Sequence, residues 1–242
     1  MNKFQRLFGI KNSQIKRHCL LLPLIPKGSL EELKISKLFP GKLYSCGNND
    51  DFSLIHTGMH AGLLGDAVLY LKDSPCEKII LFGSCGLVSK KNSLAIGSLA
   101  TPFKCYSWES FSDLLLDPDK EPRNFFADRD FLNDLLDAIQ AQEAVCASVS
   151  SLKLEEERLK ILKNKGIEVV DMECSAFFSA SESAGIKAAA LFYISDIFAK
   201  KPFYLDLNPA LKIKLSLSIK KTCNLLRVFL GPPNNHTILR VK

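Results

Sequence analysis

The chain has 242 residues, of which 47% are apolar and 24% charged. These values are typical of a globular protein with a sizeable core and exclude a disordered or low-complexity chain. The length favours a single large α/β domain over two domains. The net charge is +6, but residues 1–18 carry +5, residues 199–242 carry +8 and residues 19–198 carry −7. A basic balance confined to the ends is a weak argument for nucleic-acid binding.

Short apolar runs alternate with amphipathic stretches, which is typical of a sheet covered by helices. In chain order, the pattern predicts strand 19–25, strand 52–57, helix 60–71, strand 78–82, strand 94–101 with Gly97 inside it, a loop over 109–124, helix 129–141, strand 144–149, helix 154–164, strand 167–170, helix 173–184, strand 187–194 and helix 209–229. The three consecutive glutamates at 155–157 are predicted to lie on a solvated helix face.

The last of these elements carries two conflicting patterns. Alternate residues from Leu211 to Ile219 are apolar, which is a strand signal. Asn208 followed by Pro209, however, is typical of a helix start, and the stretch 209–229 is too long for an ordinary strand. We therefore predict a helix. The predicted organisation is a basic N-terminal extension at 1–18, a single domain at 19–230 and a C-terminal tail at 231–242.

The cysteine and histidine spacing argues against disulfides and metal sites. Eight cysteines occur without a CxxC pair, and several lie in apolar runs, which predicts buried, reduced thiols. His56 and His60 have no glutamate between them, and Gly58 would weaken a helix there, so we predict no metal and no cofactor. The apolar run around Pro23 makes a poor signal peptide, and no run approaches the roughly 20 residues of a membrane span. We expect a cytoplasmic protein that binds neither membranes nor nucleic acid.

Polar groups follow three of the predicted strands. Gly83–Gly86 (Gly-Ser-Cys-Gly) follows strand 78–82, where glycines let backbone amides approach a ligand closely. Asp171–Glu173 opens helix 173–184, and Asp196 closes strand 187–194. Each motif alone is explained as well by a tight turn or a helix cap. Neither a P-loop lysine nor a GxSxG elbow accompanies the glycines.

Taken together in this order, and with Thr57-Gly58-Met59, the motifs resemble the nucleoside phosphorylase-I superfamily. That superfamily includes purine nucleoside phosphorylases, uridine phosphorylases, methylthioadenosine/S-adenosylhomocysteine nucleosidases and futalosine hydrolases. The resemblance covers about residues 19–229 and is strongest from Val169 to Asp196. It implies an α/β fold in which a mixed central sheet or barrel is surrounded by helices in a three-layer architecture, with the nucleoside at the strand ends.

The resemblance also implies roles for individual residues in cleaving an N-ribosidic bond. Asp196 would deliver a proton to purine N7, and Glu173 would accept hydrogen bonds from the ribose beside the developing cation. An aromatic residue after Asp196, either Phe198 or Phe203, would cover the base or its 5′ substituent. The other implied substrate-binding residues are Met59, Ser84, Gly86, Met172 and Ser195.

Departures from the family pattern bear on the nucleophile. Phosphorylases bind phosphate with arginines, but Leu81 stands at one arginine position, and the loop after the first strand offers Lys27 and no arginine. Water is then the favoured nucleophile. We predict a nucleosidase acting on a 5′-substituted purine nucleoside such as futalosine, aminodeoxyfutalosine, methylthioadenosine or S-adenosylhomocysteine. The glutamate that activates water in methylthioadenosine nucleosidases has no match, and Glu31 and Glu32 are the nearest candidates.

Alternatives to this prediction stay open from the sequence. A phosphate-dependent phosphorylase is one, and a nucleoside-binding protein without catalysis is another. The continuation Ala176-Phe177-Phe178 is similar to some futalosine hydrolases, which act in menaquinone synthesis. The resemblance implies a homodimer, because hydrolase members of the family are mostly dimeric.

Overall fold

The computed structural model describes residues 1–88, 94–117, 120–198 and 200–232. The α-helices in these ranges are α1 (Lys3–Phe8), α2 (Ser29–Glu32), α3 (Ala61–Leu71), α4 (Phe111–Leu116), α5 (Arg129–Ala138), α6 (Leu152–Glu157), α7 (Leu159–Asn164), α8 (Cys174–Ala184) and α9 (Pro209–Phe229). The β-strands are β1 (His18–Leu22), β2 (Phe39–Pro40), β3 (Ser45–Asn48), β4 (Phe52–His56), β5 (Lys78–Leu87), β6 (Leu99–Trp108), β7 (Arg123–Phe126), β8 (Gln142–Val149), β9 (Val169–Asp171) and β10 (Lys187–Ile197). Most of the predicted tail, from residue 233 on, lies outside the described residues.

The strands form one mixed sheet in the order β10-β6-β8-β9-β5-β1-β4-β3-β2, with β7 paired to β6. Strand β10 also pairs with β5, so that β10, β6, β8, β9 and β5 close into a five-stranded ring. Strands β1, β4, β3 and β2 extend the sheet outward from β5, and β2 is a two-residue edge strand. Helices surround this sheet. The predicted α/β class with a mixed central sheet or barrel is confirmed.

Alternating strand residues separate the core into layers on the two faces of the sheet. In β1, Cys19 and Leu21 belong to the cluster that includes helices α3 and α8. Leu20 and Leu22 belong to the cluster on the opposite face, which includes α5 and α9. This period of two is the pattern expected of a strand buried on both faces. Leu81, at a family arginine position, is fully buried in the first of these clusters.

The segment 1–18, which we expected to be an extension, packs on the body of the protein. Helix α1 buries Phe4 and Phe8, whose rings stack with centroids 4.2 Å apart, in the first core cluster. Asn2 caps this helix by accepting a hydrogen bond from the Gln5 amide at 2.8 Å. Two of the five basic residues of the segment, Lys3 and Arg6, therefore lie on a packed helix.

Several predicted boundaries are wrong, each for a local reason. Strand β1 ends at Leu22 because Pro23, which has no N–H to donate, follows it. Strand β6 starts at Leu99 rather than at residue 94, since Gly97 adopts a left-handed φ of 81° in the preceding turn. The region 109–124, predicted as a loop, contains α4 and the start of β7.

Two further differences affect the site. The motif Gly83–Gly86, predicted as a turn, lies inside β5, where pairing with β10 continues along the whole strand. The predicted helix 154–164 is interrupted at Arg158 (φ −96°, ψ 6°), which separates α6 from α7. The predicted C-terminal helix 209–229 is confirmed, with Asn208 capping Leu211 at 2.9 Å.

All eight cysteines are free and buried, as predicted. Within the described ranges, none of the helices has both the length and the apolar content that crossing a bilayer requires.

Candidate active site

The three polar motifs of the sequence meet at Gly86. In the sheet, Gly86 is paired with Val170 of β9 on one side and with Asp196 of β10 on the other. The β5–β10 register shifts between Ile194 and Asp196, which places the Asp196 carboxylate beside the glycine. Strand β9 leads directly into α8, so Glu173 arrives at the same end of the ring.

A cavity of about 630 Å³ opens at this point. All seven predicted site residues line it, namely Met59, Ser84, Gly86, Met172, Glu173, Ser195 and Asp196. Phe198 and Phe203, the alternatives for covering the base, line it as well. The sequence therefore identified residues that the fold brings together, while their roles remain predictions.

Glu173 is the residue just before α8, and its carboxyl group is buried in the cavity wall. Only 7% of the residue is exposed, and its Oε1 has no hydrogen-bond partner among the described residues. Burial raises the pKa of Glu173 to about 7, and the nearby negative charge of Glu109 adds to this effect. An unpaired buried carboxylate oxygen is suited to accept hydrogen bonds from a ligand.

Asp171 fixes the position of Glu173. Its Oδ2 accepts hydrogen bonds from the backbone amides of Glu173 at 3.0 Å and Cys174 at 2.7 Å. Its Oδ1 accepts one from the Ser148 hydroxyl at 2.6 Å. The capping that the sequence suggested for this group of acids is thus carried by Asp171, which leaves the Glu173 side chain free for the cavity.

Asp196 lies near the end of β10 and lines the cavity. The Ser195 hydroxyl oxygen is 2.6 Å from Asp196 Oδ1 and 3.2 Å from the Cys85 carbonyl oxygen. Burial raises the pKa of Asp196, and the hydrogen bond from Ser195 opposes that rise. A carboxyl group with a raised pKa is a better proton donor near neutral pH than an exposed aspartate.

Glu155 is a cavity residue that the sequence analysis placed wrongly. We predicted that 155–157 form a solvated face, but Glu155 is only 6% exposed and lines the cavity. Burial raises its pKa to about 8, with further contributions from the charges of Asp196 and Glu156. Glu157 does match the prediction, since it is exposed and pairs with Lys153 at 3.2 Å. Because residues 155–157 are all glutamate, the sequence gave no indication of which side chain is buried.

Glu109 is a second acidic residue that the sequence analysis missed, in the region predicted to be a loop. It accepts a hydrogen bond from the Ser175 hydroxyl, and burial raises its pKa. It therefore lies behind the start of α8, close enough to Glu173 to influence its charge.

The residues proposed to activate water lie elsewhere. Glu31 is exposed, and Glu32 Oε2 accepts a hydrogen bond from Asn224 of α9 at 2.7 Å. Neither lines the cavity, so the candidate position after the first strand is wrong. Lys27, in the same loop, is also exposed and outside the cavity.

The cavity is strongly acidic. Among the described residues that line it, one side chain is basic, Lys200, and none is an arginine. The acidic residues of its lining are Glu155, Glu156, Asp171, Glu173 and Asp196. Such a wall favours a cation or a neutral ligand over an anion.

Comparisons with known proteins agree with this architecture. The family model described as "Phosphorylase superfamily" matches residues 28–210. No curated protein matches the chain. The 5′-methylthioadenosine/S-adenosylhomocysteine nucleosidase of Campylobacter jejuni superposes with a TM-score of 0.69 at 15% identity, covering 89% of this chain and 98% of that one.

Two other solved structures are similar to the same extent. Futalosine hydrolase of Helicobacter pylori has a TM-score of 0.68 at 13% identity and covers 88% of this chain and 96% of its own. Uridine phosphorylase of Vibrio fischeri has a TM-score of 0.70 at 18% identity and covers 91% and 93%. Because hydrolases and phosphorylases score alike, these likenesses establish the fold alone.

Proposed function

The chain belongs to the phosphorylase superfamily of nucleoside phosphorylases and nucleosidases, and from this membership we propose that it is a nucleosidase. The reaction is hydrolysis of the N-ribosidic bond of a purine nucleoside that carries a substituent at the 5′ position. The observation that carries the proposal is the composition of the cavity wall, whose described lining contains five acidic residues, one lysine and no arginine.

This set of lining residues disfavours phosphate as the second substrate. A phosphate anion needs cationic or N–H donors arranged around it, and arginine is the side chain best suited to that task. Here the described lining offers the anion one lysine, Lys200, and no arginine, so the cationic fork that binds phosphate best is missing. Water carries no charge and needs no such group.

The acidic wall also matches the charge that develops during cleavage. As the ribosidic bond breaks, the sugar acquires oxocarbenium character, which a nearby carboxylate stabilises. Glu173 is the group for this role in our proposal, because its unpartnered Oε1 can hold a ribose hydroxyl while the residue stays beside the sugar.

The leaving base requires a proton to depart as a neutral molecule. In the proposed step, the C1′–N9 bond breaks, its electron pair goes to the base, and Asp196 protonates N7. Glu155 is next to Asp196 and, with a pKa of about 8, is mostly protonated at neutral pH. It can therefore donate a hydrogen bond to the base, which adds to the stabilisation of the leaving group.

Water then bonds to C1′ and gives up a proton. Since neither Glu31 nor Glu32 lines the cavity, Glu173 is the proton acceptor in this proposal. The products are the free purine and the 5′-substituted ribose.

The apolar part of the cavity supports a substrate with a 5′ substituent. Its wall includes apolar and aromatic side chains, namely Met59, Leu152, Leu159, Phe198, Phe203 and Leu205. A methylthio group or a larger aromatic substituent would cover this surface, in keeping with the substrates in the names of the C. jejuni and H. pylori proteins.

The proposal is tested by measuring release of free base from adenosine, inosine, methylthioadenosine, S-adenosylhomocysteine and futalosine, each with and without phosphate. We expect release from a 5′-substituted nucleoside at the same rate in both conditions. Release that depends on phosphate would instead identify a phosphorylase, and tight binding without release would identify a nucleoside-binding protein.

A variant pair checks the assignment of the proton donor. Asp196→Asn should lower kcat by about 10²- to 10⁴-fold, because a general acid contributes that much. Asp206→Asn makes the same change at a side chain that is 93% exposed, and it should leave kcat unchanged. Equal activity of the two variants would remove Asp196 from the mechanism.

A further inference from the structure

Three cysteine thiols converge inside the five-stranded ring. Cys105 on β6 and Cys146 on β8 are register partners in neighbouring parallel strands. Cys174 is the first residue of α8. All three residues have no exposed surface, and their Sγ atoms lie within 4.8 Å of one another. The spacing in the sequence gave no sign of this cluster, because the fold assembles it from three separate elements.

A carboxylate oxygen borders the cluster, although it lies outside the set of atoms that are all within 4.8 Å of one another and would have to move toward the other thiols when an ion binds. Asp171 Oδ1 lies 3.6 Å from Cys146 Sγ. Zinc bonds of about 2.3 Å to sulfur and about 2.0 Å to oxygen place two such ligands roughly 3.5 Å apart in a tetrahedron. The same bond lengths place two sulfur ligands roughly 3.8 Å apart, so the most distant thiols need to approach by about 1 Å.

The carboxylate is held in place by groups that a metal ion would leave undisturbed. Asp171 Oδ2 is occupied by the amides of Glu173 and Cys174, and this directs Oδ1 toward the thiols. The Ser148 hydroxyl donates to Oδ1 and lies 3.4 Å from Cys105 Sγ. Hydrogen-bonded support of this kind orients metal ligands in known sites.

The site also has a route of entry. Asp171 lines the open cavity and is 6% exposed, whereas the thiols lie behind it. An ion in the cavity therefore meets the carboxylate first and the sulfur atoms next. The acidic cavity wall attracts cations to this position.

We propose that the three thiols and the Asp171 carboxylate form a tetrahedral zinc site in the interior of the ring. Thiolate and carboxylate ligands suit Zn²⁺, and four protein ligands leave no open coordination position, which is the character of a structural site. The thiols lose their protons when the ion binds. Because Asp171 also caps α8, the bound ion fixes the helix start that carries Glu173.

Cadmium titration tests the site directly, since thiolate-to-cadmium charge transfer absorbs in the ultraviolet and needs no enzymatic activity. We expect the full chain, reduced and freed of metal by a chelator, to develop the band up to one equivalent of Cd²⁺. One equivalent of Zn²⁺ should raise Tm, because an ion that binds the folded state stabilises it. Folded wild-type protein without the band would overturn the proposal.

Variants locate the bound ion. Cys146→Ala should lose the band, with Cys105→Ala as a second variant if the first does not fold. Cys223→Ala is the matched control, because Cys223 is equally buried but belongs to the core cluster on the opposite face of the sheet. A band that survives in the folded Cys146→Ala or Cys105→Ala protein, or that disappears in Cys223→Ala, contradicts the site.

Discussion

Gly86 shows how a single missing side chain shapes the cavity. A Cβ atom at this position would lie 2.8 Å from Phe198 Cε2 and 3.0 Å from Asp196 Oδ2. Both distances are shorter than side chains accept without moving, so the glycine lets the aromatic ring and the carboxylate approach the strand. The requirement for glycine comes from packing and not from the backbone, because Gly86 is not one of the glycines with a left-handed φ.

We expect Gly86→Ala to lower kcat/KM by about 10-fold or more, because displacing a catalytic group by a fraction of an ångström is costly to the rate. Gly83→Ala is the control on the same strand, since its Cβ would meet its nearest atom, in the Phe192 ring, at an ordinary 3.6 Å. Steady-state kinetics and Tm separate the two effects. A Gly86→Ala protein with unchanged kcat/KM would show that Asp196 and Phe198 tolerate the displacement.

At the residue level, the resemblance to a family named residues that the fold brings together around one cavity, whereas composition and spacing alone did not. Asp196 and Glu173 stand in motifs whose order along the chain is distinctive. Glu155 and Glu109 were missed because burial of a glutamate depends on what packs over it, which a local pattern of charges does not record. The cluster of Cys105 with two other thiols was missed for the same reason.

Among the elements, the interruption of the helix predicted over 154–164 has the largest effect on the site. Arg158 is 9% exposed, and its guanidinium donates a hydrogen bond to the Leu114 carbonyl oxygen of α4. With its backbone out of the α-helical range, the chain changes direction between α6 and α7. Glu155, in α6 before this break, lines the cavity.

This arrangement predicts a pH dependence of stability. The folded state raises the pKa of Glu155 from 4.5 to about 8, so between these values the folded protein holds a proton that the unfolded chain releases. Stability should therefore fall as pH rises through this window, by at most roughly 1.4 kcal/mol per pH unit from this group. Glu155→Gln should remove the part of the decline that this group contributes.

Urea unfolding at several pH values across this window measures the effect. Glu157→Gln is the matched control, because its exposed side chain lies in the same helix. The wild-type protein and this control should lose stability in parallel, while Glu155→Gln should lose less, since the raised pKa values of Glu173 and Asp196 still act in that variant. Parallel curves for all three proteins would mean that Glu155 ionises normally in the folded state.

The periodicity of apolar residues predicted most of the long elements. Strand pairing across the sheet explains where that prediction failed. Helix α9 was predicted despite its alternating apolar residues, since length and the Asn208 cap outweighed alternation. Strand β5 was predicted to end before its glycines. All ten residues of the strand nevertheless pair with β10, although glycine has a low strand propensity. Long-range pairing of this kind is not encoded within either segment.

For the whole molecule, the distribution of charge is more informative than its total. The net +6 comes from the two ends, while residues 19–198 carry −7 and supply every acidic residue of the cavity wall. A cavity lined by carboxyl groups suits a reaction whose sugar becomes cationic, because the ionised form of Glu173 can stabilise that charge. Of the basic residues in these ends that the structure describes, Lys200 alone lines the cavity.

We expect the protein to form a homodimer in solution. Helix α4 exposes three apolar side chains, Phe111, Leu115 and Leu116, the last of them 81% exposed, and association would cover such a surface. Sedimentation equilibrium or light scattering at micromolar concentration should give about twice the chain mass of 26.9 kDa. A mass equal to that of a single chain would refute the expectation.

The outer edge of the sheet limits how molecules of this protein can aggregate. The ring has no free edge where it is closed, and on the opposite side the sheet ends at β2, whose two residues are Phe39 and Pro40. A strand from another molecule could add here only by forming backbone hydrogen bonds with β2. Pro40 has no N–H to offer and the strand has two residues, so this edge is a poor template for intermolecular β-structure.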